Sequence, residues 1–215
     1  MKKSKNMASI AAGMCNLTNK KYIAGTAARA KWKKLLVDEK CTVKMFNNRC
    51  NNAFIHRGDI ILDGDLKRQT TLKVIVADKK AWSGVTEHIY LFARNDKIMK
   101  IGGTRTGMKA RWGSYLCGHC VPERKKRNGE AFPGKMSVTN AHLYHTIEQD
   151  LLNGAKWSFW SWELPIVTVS VEILGVPTAV VAQTYHAYES RAMEVFRKIT
   201  GHIPQLCDNA DPSYR

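Results

Sequence analysis

The clearest alternation of apolar and polar residues lies in the second half of the chain. Residues 89–93 and 98–101 are apolar runs of strand length, and the polar residues 94–97 separate them. Two such runs joined by a short polar segment predict a β-hairpin. Residues 165–174 carry the strongest strand pattern of the chain, because β-branched side chains dominate this stretch.

Helices are predicted where capping residues flank a suitable stretch. Thr26 and Thr106 are candidate N-caps, a further helical stretch begins at Thr184, and Gly154 and Gly201 follow two of the stretches as candidate stop signals. The order from residue 87 onwards is therefore hairpin, helix, loop, helix, strand, helix. The predicted helices cover residues 26–36, 106–117, 138–153 and 184–200.

This order of elements indicates an α+β fold. We expect a small, mostly antiparallel, three-stranded sheet flanked by helices in a core that covers residues 87–215. Short strands are predicted before it at 60–62 and 72–77, and the asparagine-rich stretch 47–59 is predicted to be a loop. Residues 1–86 form an N-terminal extension, which we expect to contact DNA or to mediate dimerisation.

The charge balance narrows the class of partner. The 215 residues include 34 Lys and Arg against 18 Asp and Glu, which gives a net charge of +16. Basic groups in such excess favour a polyanion, with nucleic acid ahead of a membrane surface. No apolar run reaches the roughly 18 residues of a membrane span, and no long basic amphipathic helix is present. We therefore expect a cytoplasmic protein that binds DNA. The charge alone does not distinguish an enzyme from a binding module.

An ordered set of residues carries a family resemblance. His88-Ile89-Tyr90 lies on the first predicted hairpin strand, and Lys100-Ile101-Gly102 ends the second. Arg111 follows Lys100 by 11 residues, Tyr188-Glu189 lies on the last helix, and residues 203–209 end in a proline-, leucine- and asparagine-containing tail. This set resembles the GIY-YIG nuclease superfamily over residues 87–210. Lysine replaces the family's second tyrosine, as in one branch of its type II restriction endonucleases.

The resemblance implies the chemistry and its residues. It implies hydrolysis of DNA phosphodiester bonds with Mg²⁺ or Mn²⁺, with a catalytic set of Tyr90, Lys100, Arg111, Tyr115 and Glu189. Glu189 would bind the cation, since the family keeps its metal ligand on the terminal helix. Glu148 and Glu194 are the alternative carboxylates for the role of metal ligand.

Roles for the other four residues follow from their chemistry. Arg111 can hold the scissile phosphate with two hydrogen bonds, and Tyr115 lies on the same helix face at i+4. A free tyrosine has a pKa near 10, and a nearby ammonium lowers it. We favour Tyr90 as the base with Lys100 assisting, although either group could take the proton from water.

The resemblance also implies partners. These are double-stranded DNA, a second copy of the chain in a homodimer and, by analogy, a cognate DNA methyltransferase. Further DNA contacts are expected from basic residues near the site, namely Arg105, Lys109, Arg124, Lys125, Lys126 and Arg127. A homing or repair nuclease of the same family is an alternative, and a non-catalytic basic DNA-binding protein is another.

A structural zinc site is a separate possibility. Cys117, Cys120, His142 and His145 could supply four ligands for a tetrahedral ion. Their spacing is not that of a standard zinc finger, so two unrelated thiols are the preferred interpretation. The alternating tryptophans of residues 157–162 are expected to serve core packing or an oligomer interface rather than base stacking.

Overall fold

In a computed structural model, residues 38–64, 70–117 and 138–207 are described. These ranges contain five helices and seven strands. In chain order the elements are α1 (Val43–Arg49), β1 (Ile55–Leu62), β2 (Leu72–Val76), α2 (Lys79–Ser83), β3 (His88–Arg94), β4 (Lys97–Thr104), α3 (Met108–Leu116), α4 (Val138–Leu152), β5 (Trp157–Glu163), β6 (Val167–Ile173), β7 (Val176–Ala182) and α5 (Tyr185–Thr200).

The fold is α+β, with an antiparallel sheet flanked by helices. Five strands in the order β2-β1-β5-β3-β4 form the main sheet, and every neighbouring pair is antiparallel. The expectation of three strands is therefore wrong. Residues 38–86 of the predicted extension add two strands to this sheet, because β1 pairs with β5.

The central strand, β5, was missed by the sequence prediction. Residues 157–163 carry aromatic side chains at both parities of a strand, Trp157 and Phe159 at one and Trp160 and Trp162 at the other. Trp157 and Phe159 are buried in the cluster on one side of the sheet, whereas Trp160 and Trp162 pack on the other. The tryptophans thus serve core packing, and the aromatic residues at both parities mark a strand that is covered on both faces.

Helices cover the two faces of the sheet. On one face, α3 and α4 contribute Trp112, Tyr115 and Leu143 to a cluster with Tyr90 and Phe92. On the other face, α1 and α5 pack against β3 and β4 through a second buried cluster. No helix in the described ranges is long and apolar enough to cross a membrane.

The hairpin β3-β4 confirms the sequence prediction. Its turn places Asn95 and Asp96 at φ angles of 48° and 66°. Both residues tolerate the left-handed region better than other non-glycine residues do, and this type of turn matches the twist of the strands. The turn pairs Arg94 with Lys97, and a bulge between Phe92 and Ala93 then shifts the register by one residue, which brings Phe92 opposite Lys100 and Tyr90 opposite Gly102.

Two local predictions are wrong. The stretch 47–59 is not a loop throughout, because α1 extends to Arg49 and β1 begins at Ile55. Thr42 caps α1 by accepting a hydrogen bond from the Met45 amide, a signal that the asparagine pairs obscured. Thr106 does not cap α3, since Gly107 holds that position at a φ of 79°.

The strand predicted at 165–174 is present but lies outside the main sheet. β6 pairs only with β7, in a separate two-stranded sheet. After β7, the helix α5 begins behind Thr184 and ends at Gly201 in the left-handed conformation, as predicted. The predicted helix 26–36 and the whole of the predicted loop between the helices 106–117 and 138–153 that covers residues 122–135 lie outside the described residues.

Candidate functional site

The phenol of Tyr90 lies across the backbone of its neighbour strand. Tyr90 on β3 is fully buried and is the cross-strand partner of Gly102 on β4. A Cβ atom at position 102 would lie 2.3 Å from the Tyr90 hydroxyl oxygen. Gly102 is therefore required so that the phenol can lie flat over β4.

This close approach yields a first prediction. We expect Gly102→Ala to displace the Tyr90 ring and to destabilise the fold by roughly 1–3 kcal/mol, the usual cost of overpacking. Gly113→Ala on α3 is the matched control, because its Cβ would meet no atom within 4 Å. It should raise stability by about 0.5–1 kcal/mol. Urea unfolding of both variants measures this, and a Gly102→Ala protein as stable as the wild type contradicts the geometry.

Three side chains form a hydrogen-bonded cluster at this point. The hydroxyls of Tyr90 and Tyr115 lie 2.6 Å apart. Arg111 donates from Nε to the Tyr90 oxygen at 2.8 Å and from Nη2 to the Tyr115 oxygen at 2.9 Å. Its guanidinium carbon also lies 4.6 Å from the centre of the Tyr115 ring. The helical spacing of Arg111 and Tyr115 thus brings both onto β3, as the sequence predicted.

Burial governs the protonation of the two phenols. It raises the pKa of Tyr90 well above its usual value, against the lowering effect of Arg111 and Lys100. Burial likewise raises the pKa of Tyr115 to about 12. Lys100 does lower the pKa of Tyr90, as expected, but desolvation outweighs the attraction of the two cations, so that the net pKa of this phenol in the free protein is raised. Both phenols are neutral at neutral pH.

Lys100 is held by the C-terminal segment. It is 5% exposed, and its Nζ donates to the carbonyl oxygen of Leu206 at 2.9 Å. The amide of Leu206 in turn donates to the carbonyl of Met99 on β4 at 2.9 Å. The segment after α5, which carries the proline and leucine of the sequence resemblance, thus orients the ammonium group beside the tyrosines.

Glu189 reaches the same edge of the sheet from α5. A Cβ at Gly103 would lie 2.9 Å from Oε2 of Glu189, so the carboxylate rests against β4. Burial raises its pKa, and Lys100, His186, Arg111 and a hydrogen bond with the Gly103 backbone oppose that rise. The carboxylate therefore lies within the field of the two cations. No described residue forms an ion pair with Glu189, and its carboxylate accepts a hydrogen bond from the Gly103 backbone.

The competing carboxylates have other partners. Glu148 is buried, accepts a hydrogen bond from Thr71 at 2.6 Å and lies 3.1 Å from the His145 ring. Glu194 is exposed and pairs with Arg191 and Lys198 on the surface of α5. Of the three candidate carboxylates, Glu189 alone lies beside the tyrosine cluster.

The remaining predicted residues have different placements. Arg105 and Lys109 are exposed on either side of the start of α3. Arg124, Lys125, Lys126, Arg127 and Cys120 lie outside the described residues, as does the side chain of His142. Cys117 is exposed, and within the described ranges no group of three His, Cys, Asp or Glu residues could hold a metal ion.

A second arginine beside Tyr90 was missed by sequence reasoning. Arg57 lies at the irregularity between β1 and β5 and is 9% exposed. Its Nε donates to the Ser161 hydroxyl at 3.0 Å, and Ser161 is the cross-strand partner of Tyr90. No described acidic residue forms an ion pair with it. A bulge that redirects a side chain is common beside functional sites, but only strand pairing could reveal it.

His88 completes this second group. Its ring lies 2.9 Å from the Thr86 hydroxyl and 3.4 Å from the Ser161 hydroxyl. Burial lowers its pKa to about 4, with a further lowering from Arg57 and an opposing effect of Glu163. His88 is thus neutral at neutral pH, and the charge beside Ser161 comes from Arg57.

Comparisons with known proteins give backbone likenesses only. No protein-family model and no curated protein matches the chain in sequence. Restriction endonuclease HPY188I, solved with product DNA, is similar with a TM-score of 0.45 and 20% identity, over 79% of this chain and 87% of its own. Endonuclease II of bacteriophage T4, solved as a mutant, has a TM-score of 0.45 and 15% identity, over 74% and 96%.

Proposed function

We propose that this chain is a divalent-metal-dependent endonuclease that cuts double-stranded DNA at specific sites, as a restriction enzyme does. One observation carries the proposal. A guanidinium, two buried phenols, a buried ammonium and a carboxylate converge at one edge of the sheet. These groups can supply what phosphodiester hydrolysis requires, namely activation of a water, stabilisation of charge on the phosphate and help for the leaving oxygen. The resemblance to the GIY-YIG superfamily, stated from the sequence, supports the same conclusion.

The cluster is suited to hold a phosphate. Arg111 and Lys100 bring two positive charges against the single negative charge of Glu189. Arg111 has no acidic partner among the described residues, and its hydrogen bonds go to neutral phenols. A cation held in this way favours an incoming anion, because the anion compensates for its lost hydration. The scissile phosphate would take that place, with Tyr115 as a further donor.

Tyr90 and Lys100 are suited to act on the attacking water. The Tyr90 oxygen accepts a hydrogen bond from Arg111 and is close to the Tyr115 hydroxyl. A neutral phenol can orient water, whereas taking its proton requires the phenolate, which Arg111 and Lys100 favour and burial opposes. Both residues therefore position the nucleophile, and Tyr90 is our candidate for the proton acceptor.

Glu189 fits the role of metal ligand. Mg²⁺ keeps several waters and often uses one or two carboxylates together with phosphate oxygens, so one glutamate is enough when DNA supplies the rest. Bound there, the cation would stabilise the leaving oxygen. The carboxylate is only partly buried and has no described ion-pair partner, as this role requires.

The assembly follows from the substrate. One chain holds one such cluster, whereas a duplex has two strands to cut, so we propose a homodimer. A restriction enzyme would also require a cognate methyltransferase to protect its host's DNA. A homing or repair nuclease would use the same cluster, and a non-catalytic DNA-binding protein would not need Glu189.

Incubation with DNA tests the proposal. We expect the protein to cut supercoiled plasmid and genomic DNA into discrete, reproducible fragments in Mg²⁺ or Mn²⁺, and not in EDTA. A single rare cut in a whole genome would indicate a homing enzyme. Binding without cleavage in every divalent metal would overturn the proposed catalysis and favour the non-catalytic alternative.

Arg57 provides a test of how DNA is held. We expect Arg57→Gln to weaken binding and to reduce the slope of log K against log salt by about one, since one phosphate contact is lost. Ser161→Ala is the control, because it removes the hydrogen-bond partner of Arg57 and leaves the charge. Fluorescence anisotropy at several salt concentrations measures both. An unchanged slope for Arg57→Gln would show that Arg57 serves only the fold.

A further inference from the structure

A two-stranded arm projects an apolar face into solvent. We define the arm as residues 167–182, which are β6, the turn Leu174-Gly175 and β7. Cross-strand partners share a face of the ribbon, and the register divides the arm into two faces. The apolar face consists of Val167, Val169, Val171, Ile173, Val176, Thr178, Val180 and Ala182. The opposite face is mixed, because Thr168, Ser170 and Glu172 stand beside their partners Val181, Ala179 and Pro177.

This apolar face is unusual for a surface. Val169, Val171 and Ile173 are 40%, 38% and 46% exposed, and Leu174 at the tip is 100% exposed. A two-stranded ribbon is marginally stable in water without something packed on its apolar side. Neither strand hydrogen-bonds to the main sheet. A contiguous apolar patch of this kind indicates a protein interface.

The distribution of charge identifies the class of partner. No Lys or Arg occurs between Lys156 and Arg191, although the chain contains 34 of them. A segment without cations is unsuited to a phosphate backbone. The one charged residue of the arm, Glu172, lies on the opposite face. The apolar face can therefore meet another apolar face without burying a charge.

A second copy of this chain is the partner that these features favour. Two molecules that each carry a charge of +16 repel one another. They can approach closely where neither presents Lys or Arg, and the arm is such a surface. An uncharged face is also self-complementary, as a two-fold interface requires.

We propose that the apolar face of the arm packs against the same face of a second copy. The two ribbons then form a small sandwich, with about 10 Å between the stacked sheets. The assignment of the exposed face depends on the structure alone. The identification of the partner as a second copy of the chain depends in part on the proposed cleavage of both DNA strands. The arm leads directly into α5, the helix that carries Glu189. Dimerisation through the arm would therefore place the α5 helices of both copies near the interface.

Mass measurement on the full chain tests the arm. The chain is 24.3 kDa, and we expect light scattering after gel filtration at micromolar concentration to give twice that mass. Val171→Lys should give the monomer mass, because a charge enters the apolar face. Ser170→Lys is the matched control on the opposite face of the same strand and should remain dimeric. A monomeric wild type, a dimeric Val171→Lys protein or a monomeric Ser170→Lys protein would each overturn the proposal.

Cross-linking covers the case in which Val171→Lys fails to fold. With a short bismaleimide, Val169→Cys should cross-link to a dimer beyond the wild-type background, and Ser170→Cys should not. Equal cross-linking of the two variants contradicts the assigned face. A monomer that floats with lipid vesicles would instead identify a membrane as the partner and would overturn the proposal.

These readouts are independent of the proposed function, because they require no DNA. If the protein dimerises through the arm but cuts no DNA, the proposed interface is supported and the proposed nuclease function is overturned. If the wild-type protein cuts DNA as a monomer, the nuclease function is supported and the proposed interface is overturned. If both hold, Val171→Lys should convert double-strand cuts in supercoiled plasmid into single-strand nicks.

Discussion

Glu189→Gln is expected to abolish DNA cleavage while DNA binding survives. The substitution keeps the size of the side chain and removes the negative charge that would hold the cation beside Lys100 and Arg111. Loss of one contact that acts in the transition state typically costs 10²–10³-fold in rate, and we expect a loss at least of that order. Binding should persist, or become tighter, because the site loses its one anion while both cations remain.

Glu194→Gln is the control for this experiment. Glu194 lies on the same helix, but it is exposed and pairs with Arg191 and Lys198. We expect it to cut at the wild-type rate, since exposed ion pairs contribute little to stability. Cleavage of plasmid under single-turnover conditions and anisotropy in EDTA separate rate from binding. A Glu189→Gln protein that cuts at the normal rate would show that the metal assignment is wrong.

Arg111→Lys is expected to reduce cleavage by a comparable factor with the charge intact. The guanidinium contacts both phenols at once, through Nε and Nη2. An ammonium is a point charge without this fork, so it cannot hold Tyr90, Tyr115 and a phosphate together. We expect a fall of about 10²–10³ in kcat, by analogy with the loss of one preorganised donor, and a smaller change in KM.

The division of that effect between kcat and KM is informative. A loss in kcat indicates a contact made in the transition state, whereas a rise in KM alone indicates uniform binding. Arg191→Lys, at an exposed ion pair on α5, should change neither quantity. An Arg111→Lys enzyme with normal kcat would place Arg111 among the binding residues and outside the chemistry.

The sequence was most informative where the relevant contacts are local. The hairpin could be predicted because Asn95 and Asp96 determine its turn. The bulge between Phe92 and Ala93, which sets Tyr90 opposite Gly102, was visible only in the strand pairing. The pair Arg111 and Tyr115 followed from helical periodicity alone. Glu189 was placed by the order of helices, and the structure brings it to Gly103 on the same strand edge.

Long-range pairing accounts for what the sequence did not reveal. β5 is rich in aromatic residues, yet its central position depends on β1 and β3, which lie about 70 to 100 residues before it. The same pairing brings Ser161 beside Tyr90 and gives Arg57 its partner. A β-branched stretch predicts a strand wherever it lies, so the sequence could not show that β6 belongs to a separate arm.

The sequence by itself determined the basic character of the protein, the turn of the hairpin, the end of α5 at Gly201 and the spacing of Tyr90, Lys100, Arg111 and Tyr115, because turns, helix stop signals and helical periodicity act within a few residues. Only the tertiary structure decided the protonation of the tyrosines. A nearby ammonium predicts a lower pKa for Tyr90, but complete burial raises it. Desolvation depends on the atoms that surround the phenol in space, and these come from strands and helices distant in the chain.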